Sequence, residues 1–140
     1  MILECASCSS QNRVPAERIT SRAKCGKCKT QLCPPTRPLV IQSAADFDEL
    51  IARSTVAVVV DFWAAWCGPC RMVAPELEQL SQTHTGTAIV AKVDTEAFPA
   101  LAARFGIRSI PTMVSFRDGR EAKRVSGVMP AREIAQALSI

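Results

Sequence analysis

The sequence predicts an α/β fold, a mixed central sheet with helices on both faces, preceded by a small cysteine-rich module. From residue 39 onward, apolar strand-like runs alternate with amphipathic helix-like segments, which is typical of parallel strands joined by crossover helices. Asp118-Gly119 is a hairpin signal and predicts that the last two strands are antiparallel. The first 33 residues differ, because they hold five of the seven cysteines and few large apolar side chains.

The predicted order of elements after residue 38 is β-α-β-α-β-α-β-β-α. Apolar runs predict five strands, at residues 39–41, 56–62, 88–93, 112–116 and from the hairpin through Val125. Apolar residues at helical spacing predict four helices: one capped by Ser43, one containing Pro75, one at residues 98–105 and one opened by Pro130.

The cysteine-rich module needs a covalent or metal link to fold. With few aliphatic side chains and no aromatic one, residues 1–33 cannot bury enough apolar surface to offset the entropy of ordering the chain. A proline-rich stretch follows and predicts a stiff linker. We therefore expect a metal-binding module at residues 1–33, a linker at 34–38 and the α/β domain at 39–140.

Composition restricts the compartment and the class of partner. The longest apolar run, Val56 to Val60, is far shorter than the roughly 20 residues of a membrane span, so we expect no membrane association. The start of the chain lacks the basic and apolar pattern of a secretory signal, which predicts a cytoplasmic protein.

Charge is concentrated at the start of the chain. Residues 1–40 hold seven basic and two acidic residues, within a chain of net charge +4. Four thiolates on one zinc ion would offset part of this surplus. We therefore interpret these cations as balancing a metal-thiolate site and do not expect a nucleic-acid partner.

Two C-x-x-C pairs in the module have the spacing of a zinc site. Cys5 and Cys8 are separated from Cys25 and Cys28 by sixteen residues, an arrangement in which two turns bring four thiolates to one tetrahedral zinc ion. With all four positions filled, such a site is structural. An iron centre or two disulfides are the alternatives. Cys33 lies outside the pattern. The sequence leaves three roles open for it: a free thiol, an alternative ligand, or a partner for a zinc cysteine after oxidation.

The third pair, Cys67 and Cys70, lies where a predicted buried strand meets a helix. A helix N-terminus stabilises a thiolate, which is the nucleophile of disulfide exchange. We expect Cys67 to be the exposed attacking sulfur and Cys70 to be more shielded, resolving the mixed disulfide. The alternative, half of another zinc site, lacks a nearby histidine or cysteine partner.

Residues 38–140 resemble the thioredoxin family. The resemblance lies in Asp61-Phe62-Trp63-Ala64, Trp66-Cys67-Gly68-Pro69-Cys70, Pro75, Lys92, Ile110-Pro111-Thr112 and Gly127, in order and at family spacing. The module before them resembles the zinc-ribbon extension of the second bacterial thioredoxin type. The resemblance implies that the chain has the thioredoxin fold and acts as a general protein-disulfide reductase.

The resemblance also implies roles for individual residues. Asp61 is expected behind Cys70, where it accepts that thiol's proton, with Lys92 keeping it partly ionised. Pro111 is expected to follow a cis peptide bond and to leave a backbone edge for the substrate. An apolar surface around Cys67 is expected from Trp66, Gly68, Pro69, Ile110 and Gly127.

The expected partners follow from the same resemblance. Electrons would enter from an NADPH-dependent thioredoxin reductase and leave to disulfides of client proteins, with no organic cofactor on this chain. Gly68 and Pro69, between the two cysteines, offer no imidazole to stabilise the thiolate further. A less stabilised dithiol gives up electrons more readily, so the Gly-Pro sequence is typical of the reductases of the family. Two other classes stay open at this stage: a binding module built on an inactive scaffold, and a zinc-controlled holdase.

Overall fold

Two short β-hairpins form the cysteine-rich module. The computed structural model describes all 140 residues. In the first hairpin β1 (Ile2–Glu4) pairs with β2 (Gln11–Arg13), and in the second β3 (Ala23–Lys24) pairs with β4 (Gln31–Cys33). Each C-x-x-C pair lies in the turn of one hairpin, and a 3-10 turn, Ala16–Arg18, lies between the hairpins.

A five-stranded mixed sheet forms the rest of the chain. Its elements are β5 (Leu39–Val40), α1 (Ala44–Arg53), β6 (Ala57–Trp63), α2 (Gly68–Thr83), β7 (Ala88–Asp94), α3 (Pro99–Arg104), β8 (Thr112–Arg117), β9 (Arg120–Ser126) and α4 (Ala131–Leu138). The strand order is β5-β7-β6-β8-β9. The first three strands in this order run parallel, and β8 and β9 pair antiparallel. The predicted α/β class and order of elements are confirmed.

Most element boundaries predicted from the sequence lie within one or two residues of those in the structure. The Ser43 side chain accepts the Asp46 N–H at the start of α1, as its capping role predicts. Asp118 and Gly119 both have positive φ, the conformation of the expected hairpin turn. The first strand of the sheet is shorter than predicted, although Ile41 still donates its N–H to the Lys92 carbonyl.

Alternation along β6 produces a core on each face of the sheet. Val58, Val60 and Phe62 lie in one buried cluster, which also contains residues of α1 and α3. Val59 lies in a second cluster with side chains of α2 and α4. Because successive side chains on a strand point to opposite faces, Asp61 lies on the face covered by α2. The sheet thus has helices on both faces, as predicted, and α2 begins shortly after β6 ends.

The cysteine-rich module packs against α1. Leu3, Val14 and Ile19 belong to the same buried cluster as residues of α1. The Glu49 carboxylate on α1 accepts the N–H of Ala16 at 2.8 Å and pairs with the Met1 amino group at 3.1 Å. The module and the sheet therefore share one hydrophobic core. The domain boundary at residues 34–38 stays a prediction.

No helix in this structure combines the length and the apolar character needed to span a membrane.

Candidate functional site

Cys67 and Cys70 form a disulfide at the start of α2. Cys67 is the N-cap residue, and its sulfur accepts the N–H of Cys70 at 3.1 Å. The free N–H groups and the dipole of a helix N-terminus favour negative charge at this position. The local structure therefore stabilises a thiolate at Cys67 once the disulfide is reduced.

The two cysteines are almost equally buried, which corrects our expectation that Cys67 is exposed. Cys67 has a relative exposure of 3% and Cys70 of 4%. The physical reason is the packing around the disulfide, where Ala64, Trp63 and Ile110 form a small apolar cluster with both cysteines. Exposure thus does not distinguish the two cysteines in the oxidised protein, whereas their positions at the start of α2 do, since only Cys67 is the N-cap residue.

The Ile110-Pro111 segment lies beside the disulfide. The Cys67 sulfur is 3.8 Å from the carbonyl oxygen of Ile110, and the Ile110-Pro111 peptide bond is cis. The Pro111 carbonyl accepts the N–H of Gly127 at 3.0 Å. Gly127 has a φ of +98°, a conformation that side chains disfavour. Ile110 thus lies next to Cys67, and Gly127 is bonded to the residue that follows Ile110.

The rim of the site is partly apolar and exposed. Trp66 is 68% exposed, and its indole Nε1 donates to the Glu96 carboxylate at 2.9 Å. Gly68 is half-buried and Pro69 is exposed in the first turn of α2. Sequence reasoning missed Glu96, because a glutamate in a short turn thirty residues from the tryptophan carries no motif signal.

Asp61 is a buried carboxylate without a hydrogen bond. It is 1% exposed, and neither of its carboxylate oxygens has a hydrogen-bond partner. Burial raises the pKa of Asp61 to about 7, although the charge of Lys92 acts in the opposite direction. An acid with this pKa can take up and release a proton near neutral pH.

Lys92 stands beside Asp61 on the neighbouring strand. The two residues are direct partners in the parallel register of β6 and β7, so their side chains leave the same face. The Lys92 ammonium lies 4.6 Å from the centroid of the Trp63 ring, within cation–π range. Trp63 packs against the small cluster that contains the disulfide.

The four module cysteines form one cluster. Cys5, Cys8, Cys25 and Cys28 place their sulfurs within 4.8 Å of one another. The Cys5–Cys28 and Cys8–Cys25 sulfur separations are 3.5 and 3.7 Å. Tetrahedral zinc with Zn–S bonds of about 2.3 Å requires sulfur separations of about 3.8 Å. The donor set and its spacing fit zinc binding.

The two turns of the module have the same backbone pattern. The residue four positions after the first cysteine donates back to that cysteine's carbonyl in each turn, Ser9 to Cys5 and Lys29 to Cys25. Both donors have positive φ. This repetition turns both pairs of sulfurs towards a common centre.

Polar neighbours stabilise a thiolate at Cys25. The Ser10 hydroxyl is 3.0 Å from its sulfur. The backbone N–H of Lys27 and the side-chain amide of Asn12 also donate to this sulfur. Hydrogen bonding, led by the Ser10 hydroxyl, lowers the pKa of Cys25 to about 5. Because metal ligands must be deprotonated, these contacts favour metal binding. The sequence pattern gave no sign of Ser10 or Asn12.

Cys33 lies outside the cluster. It is fully buried in the core shared by the module and the sheet. Burial raises the pKa of its thiol to about 11, so the group is neutral. Its position favours the free-thiol interpretation over that of an alternative ligand.

Comparison with protein families gives two matches. A family model described as thioredoxin matches residues 38–139. A second, the zinc ribbon described as thioredoxin 2, N-terminal, matches residues 4–30. Together they span both parts of the fold.

Individual proteins give the same result. Thioredoxin C-3 of Corynebacterium nephridii is 41% identical over 99% of this chain and 93% of its own length. Thioredoxin 1 of Synechococcus elongatus is 44% identical over 67% of this chain and 88% of its own length. The structure of a mutant thioredoxin from Halobacterium salinarum is similar at a TM-score of 0.66 and 34% identity, covering 76% of this chain and 95% of that one.

Proposed function

Because this chain belongs to the thioredoxin family, with a zinc-ribbon module of the thioredoxin 2 type, it is a thiol–disulfide oxidoreductase, and we propose that Cys67 attacks the substrate and Cys70 resolves. The observation that carries this assignment is the disulfide at the N-terminus of α2, with Cys67 as N-cap beside the Ile110-Pro111 backbone.

Reduction of a substrate disulfide takes two exchanges. The Cys67 thiolate attacks one substrate sulfur, forms a mixed disulfide and releases the other sulfur as a thiolate. Cys70 then loses its proton and attacks Cys67, which closes the Cys67–Cys70 disulfide and releases the second substrate sulfur. Two electrons have passed from the protein dithiol to the substrate, and its two sulfurs leave as thiols after protonation.

Asp61 is proposed to accept the proton of Cys70 during the second exchange. Its burial and its pKa of about 7 suit a base that works near neutral pH. The positive charge of Lys92 lowers the cost of ionising the carboxyl, because the two side chains leave the same face of neighbouring strands.

Substrate recognition is assigned to the surface around Cys67. We assign to it Trp66, Gly68 and Pro69 around the start of α2, together with Ile110 and Pro111 before β8 and Gly127 after β9. The exposed face of the Trp66 ring supplies apolar contact without selecting a particular side chain. The Ile110-Pro111 backbone offers an edge for an extended substrate segment.

The family uses thioredoxin reductase and disulfide-containing substrates. For this chain we propose an NADPH-dependent thioredoxin reductase as electron donor and the cytoplasm as compartment. Five cysteines without a disulfide, four of them clustered for metal binding, support a reducing environment.

The module is proposed to hold one structural zinc ion. Cys5, Cys8, Cys25 and Cys28 would be its four ligands, with no position left for a substrate. The ion would supply the cross-link that two small hairpins lack. No step of the exchange passes through it.

Insulin reduction tests the redox assignment. The reduced protein is mixed with insulin and quenched with acid, and the loss of intact insulin is followed. Cys67→Ser should abolish the reaction, whereas Cys70→Ser should accumulate a mixed disulfide that mass spectrometry detects. Cys33→Ala serves as a control that keeps activity. Full activity of Cys67→Ser would disprove the assignment.

A further inference from the structure

A chain of hydroxyl groups runs behind the Ile110-Pro111 segment. Thr112 is 2% exposed, and its Oγ1 lies 2.6 Å from the Ser109 carbonyl oxygen and 2.7 Å from the Ser126 hydroxyl. A hydroxyl has one proton to donate, and the carbonyl can only accept. Thr112 therefore donates to Ser109, and the Ser126 hydroxyl donates to Thr112.

This chain joins two segments that border the redox pair. Ser109 precedes Ile110-Pro111, and Ser126 is the last residue of β9 and precedes Gly127. The N–H of Gly127 donates to the Pro111 carbonyl at 3.0 Å. One side-chain link and one backbone link thus fix the two segments to each other.

We propose that Thr112 and Ser126 are positioning residues for substrate binding. They hold the backbone of residues 109–111 at the place where an extended substrate segment pairs, next to the Cys67 sulfur. Neither hydroxyl touches the reacting sulfurs. This inference rests on the proposed function of the same site.

Loss of these hydroxyl bonds should affect polypeptide substrates more than small disulfides. A protein disulfide needs both the sulfur of Cys67 and the backbone edge beside it. A small disulfide has no peptide backbone and needs only the sulfur. Loosening residues 109–111 should therefore weaken reaction with a polypeptide more than reaction with a small disulfide.

Ser115 provides a matched control on the same two strands. It is 1% exposed on β8, and its hydroxyl accepts the Lys123 N–H on β9 at 3.2 Å. Its bond also joins β8 to β9, but it lies three residues further along β8 than Thr112. A purely structural effect of losing a buried hydroxyl should appear in Ser115→Ala as well.

The experiment compares two substrates in single-turnover reactions of the full chain. Reduced protein is mixed with insulin or with bis(2-hydroxyethyl) disulfide over a range of concentrations, then quenched with acid. Half-saturating concentration and limiting rate are measured for the wild type, Thr112→Val, Thr112→Ser, Ser126→Ala and Ser115→Ala. Cys67→Ser is included with both substrates.

In Thr112→Val and Ser126→Ala, we expect the preference for insulin over the small disulfide to fall about fivefold or more, mainly through the half-saturating concentration. Thr112→Ser should restore it, and Ser115→Ala should keep the wild-type preference. If Thr112→Val does not fold, Ser126→Ala decides the question. An unchanged preference in Ser126→Ala, or an equal fall in Ser115→Ala, would overturn the proposal. Activity of Cys67→Ser would instead refute the underlying function.

Discussion

Asp61 and Lys92 face each other across two parallel strands, yet the ammonium of Lys92 lies over the Trp63 ring and the Asp61 carboxylate accepts no hydrogen bond. The charge of Lys92 opposes the rise of the Asp61 pKa but does not cancel it. The structure therefore buries an acid that is costly to ionise on the face of β6 that α2 covers. This relationship determines two measurable properties of the protein.

The first property is the pH dependence of stability. The pKa of Asp61 is raised to about 7 in the folded protein, from an unperturbed value of 3.8. The folded state thus holds a proton that the unfolded state loses, and the free energy of unfolding should fall as pH rises from 4 towards 7. Asp61→Asn should remove this loss and stabilise the protein at pH 7 to 8 by roughly 3–5 kcal/mol.

Urea unfolding of the oxidised protein between pH 4 and 8 measures this effect. Asp118→Asn, an exposed change in the hairpin turn, controls for the loss of one negative charge. The assignment would be wrong if Asp61→Asn and Asp118→Asn shifted stability equally at every pH.

The second property is the rate of resolution. Without the Asp61 carboxylate, Cys70 would lose the proton acceptor that we propose for it, whereas the Cys67 thiolate would keep its place at the N-terminus of α2. Asp61→Asn should therefore slow the second exchange about 10²-fold or more, with a smaller effect on the first. Rapid acid quenching during insulin reduction should show an accumulating mixed disulfide. Equal slowing of both steps would contradict the proton-acceptor role.

The sequence predicted those features that depend on local pattern. The order of elements followed from the spacing of apolar residues, and Cys67-Gly68-Pro69-Cys70 followed from its position between a strand and a helix. Contacts between distant segments had no such signal. The bond from Trp66 to Glu96 and the burial of Cys67 by Ile110 depend on loops that meet only in the folded chain.

The contact between module and sheet was missed for the same reason. Leu3, Val14 and Ile19 are too few to form a core of their own, and the sequence suggested a separate appendage. The structure completes their core with residues of α1 and the sheet. Apolar side chains that are too few to form a core within one segment can thus form one together with a second segment.

Glu49 provides a test of that contact. Its carboxylate accepts from the Ala16 N–H and pairs with the Met1 amino group. Glu49→Ala therefore leaves the Ala16 N–H without its acceptor and removes the counter-ion of the Met1 amino group, which keeps its bond to the Val14 carbonyl. We expect the free energy of unfolding to fall by about 1–3 kcal/mol. Asp48→Ala, on the same helix, removes an exposed ion pair with Arg104 and should cost at most about 1 kcal/mol. Urea unfolding of both variants checks the difference, and equal losses would contradict a docking role for Glu49.

Metal content separates the five module cysteines into two groups. Cys25 lies in the four-sulfur cluster, and Cys33 lies in the shared core. Elemental analysis should find one zinc ion per wild-type chain, one in Cys33→Ala and less than a tenth of that in Cys25→Ser. A Cys33→Ala protein without zinc would show that Cys33 is a ligand.

Loss of zinc should also destabilise the sheet. The proposed zinc ion would fix the two hairpins, and the first hairpin brings Leu3 and Val14 into the cluster that also contains residues of α1. A hairpin that unfolds exposes these side chains and the face of α1 beneath them, at about 25 cal/mol for each Å² of apolar surface returned to water. Cys25→Ser should therefore lower the melting temperature measured on the sheet and helices by circular dichroism, and not only disorder the module. An unchanged melting temperature in zinc-free Cys25→Ser would show that the sheet is stable without the module.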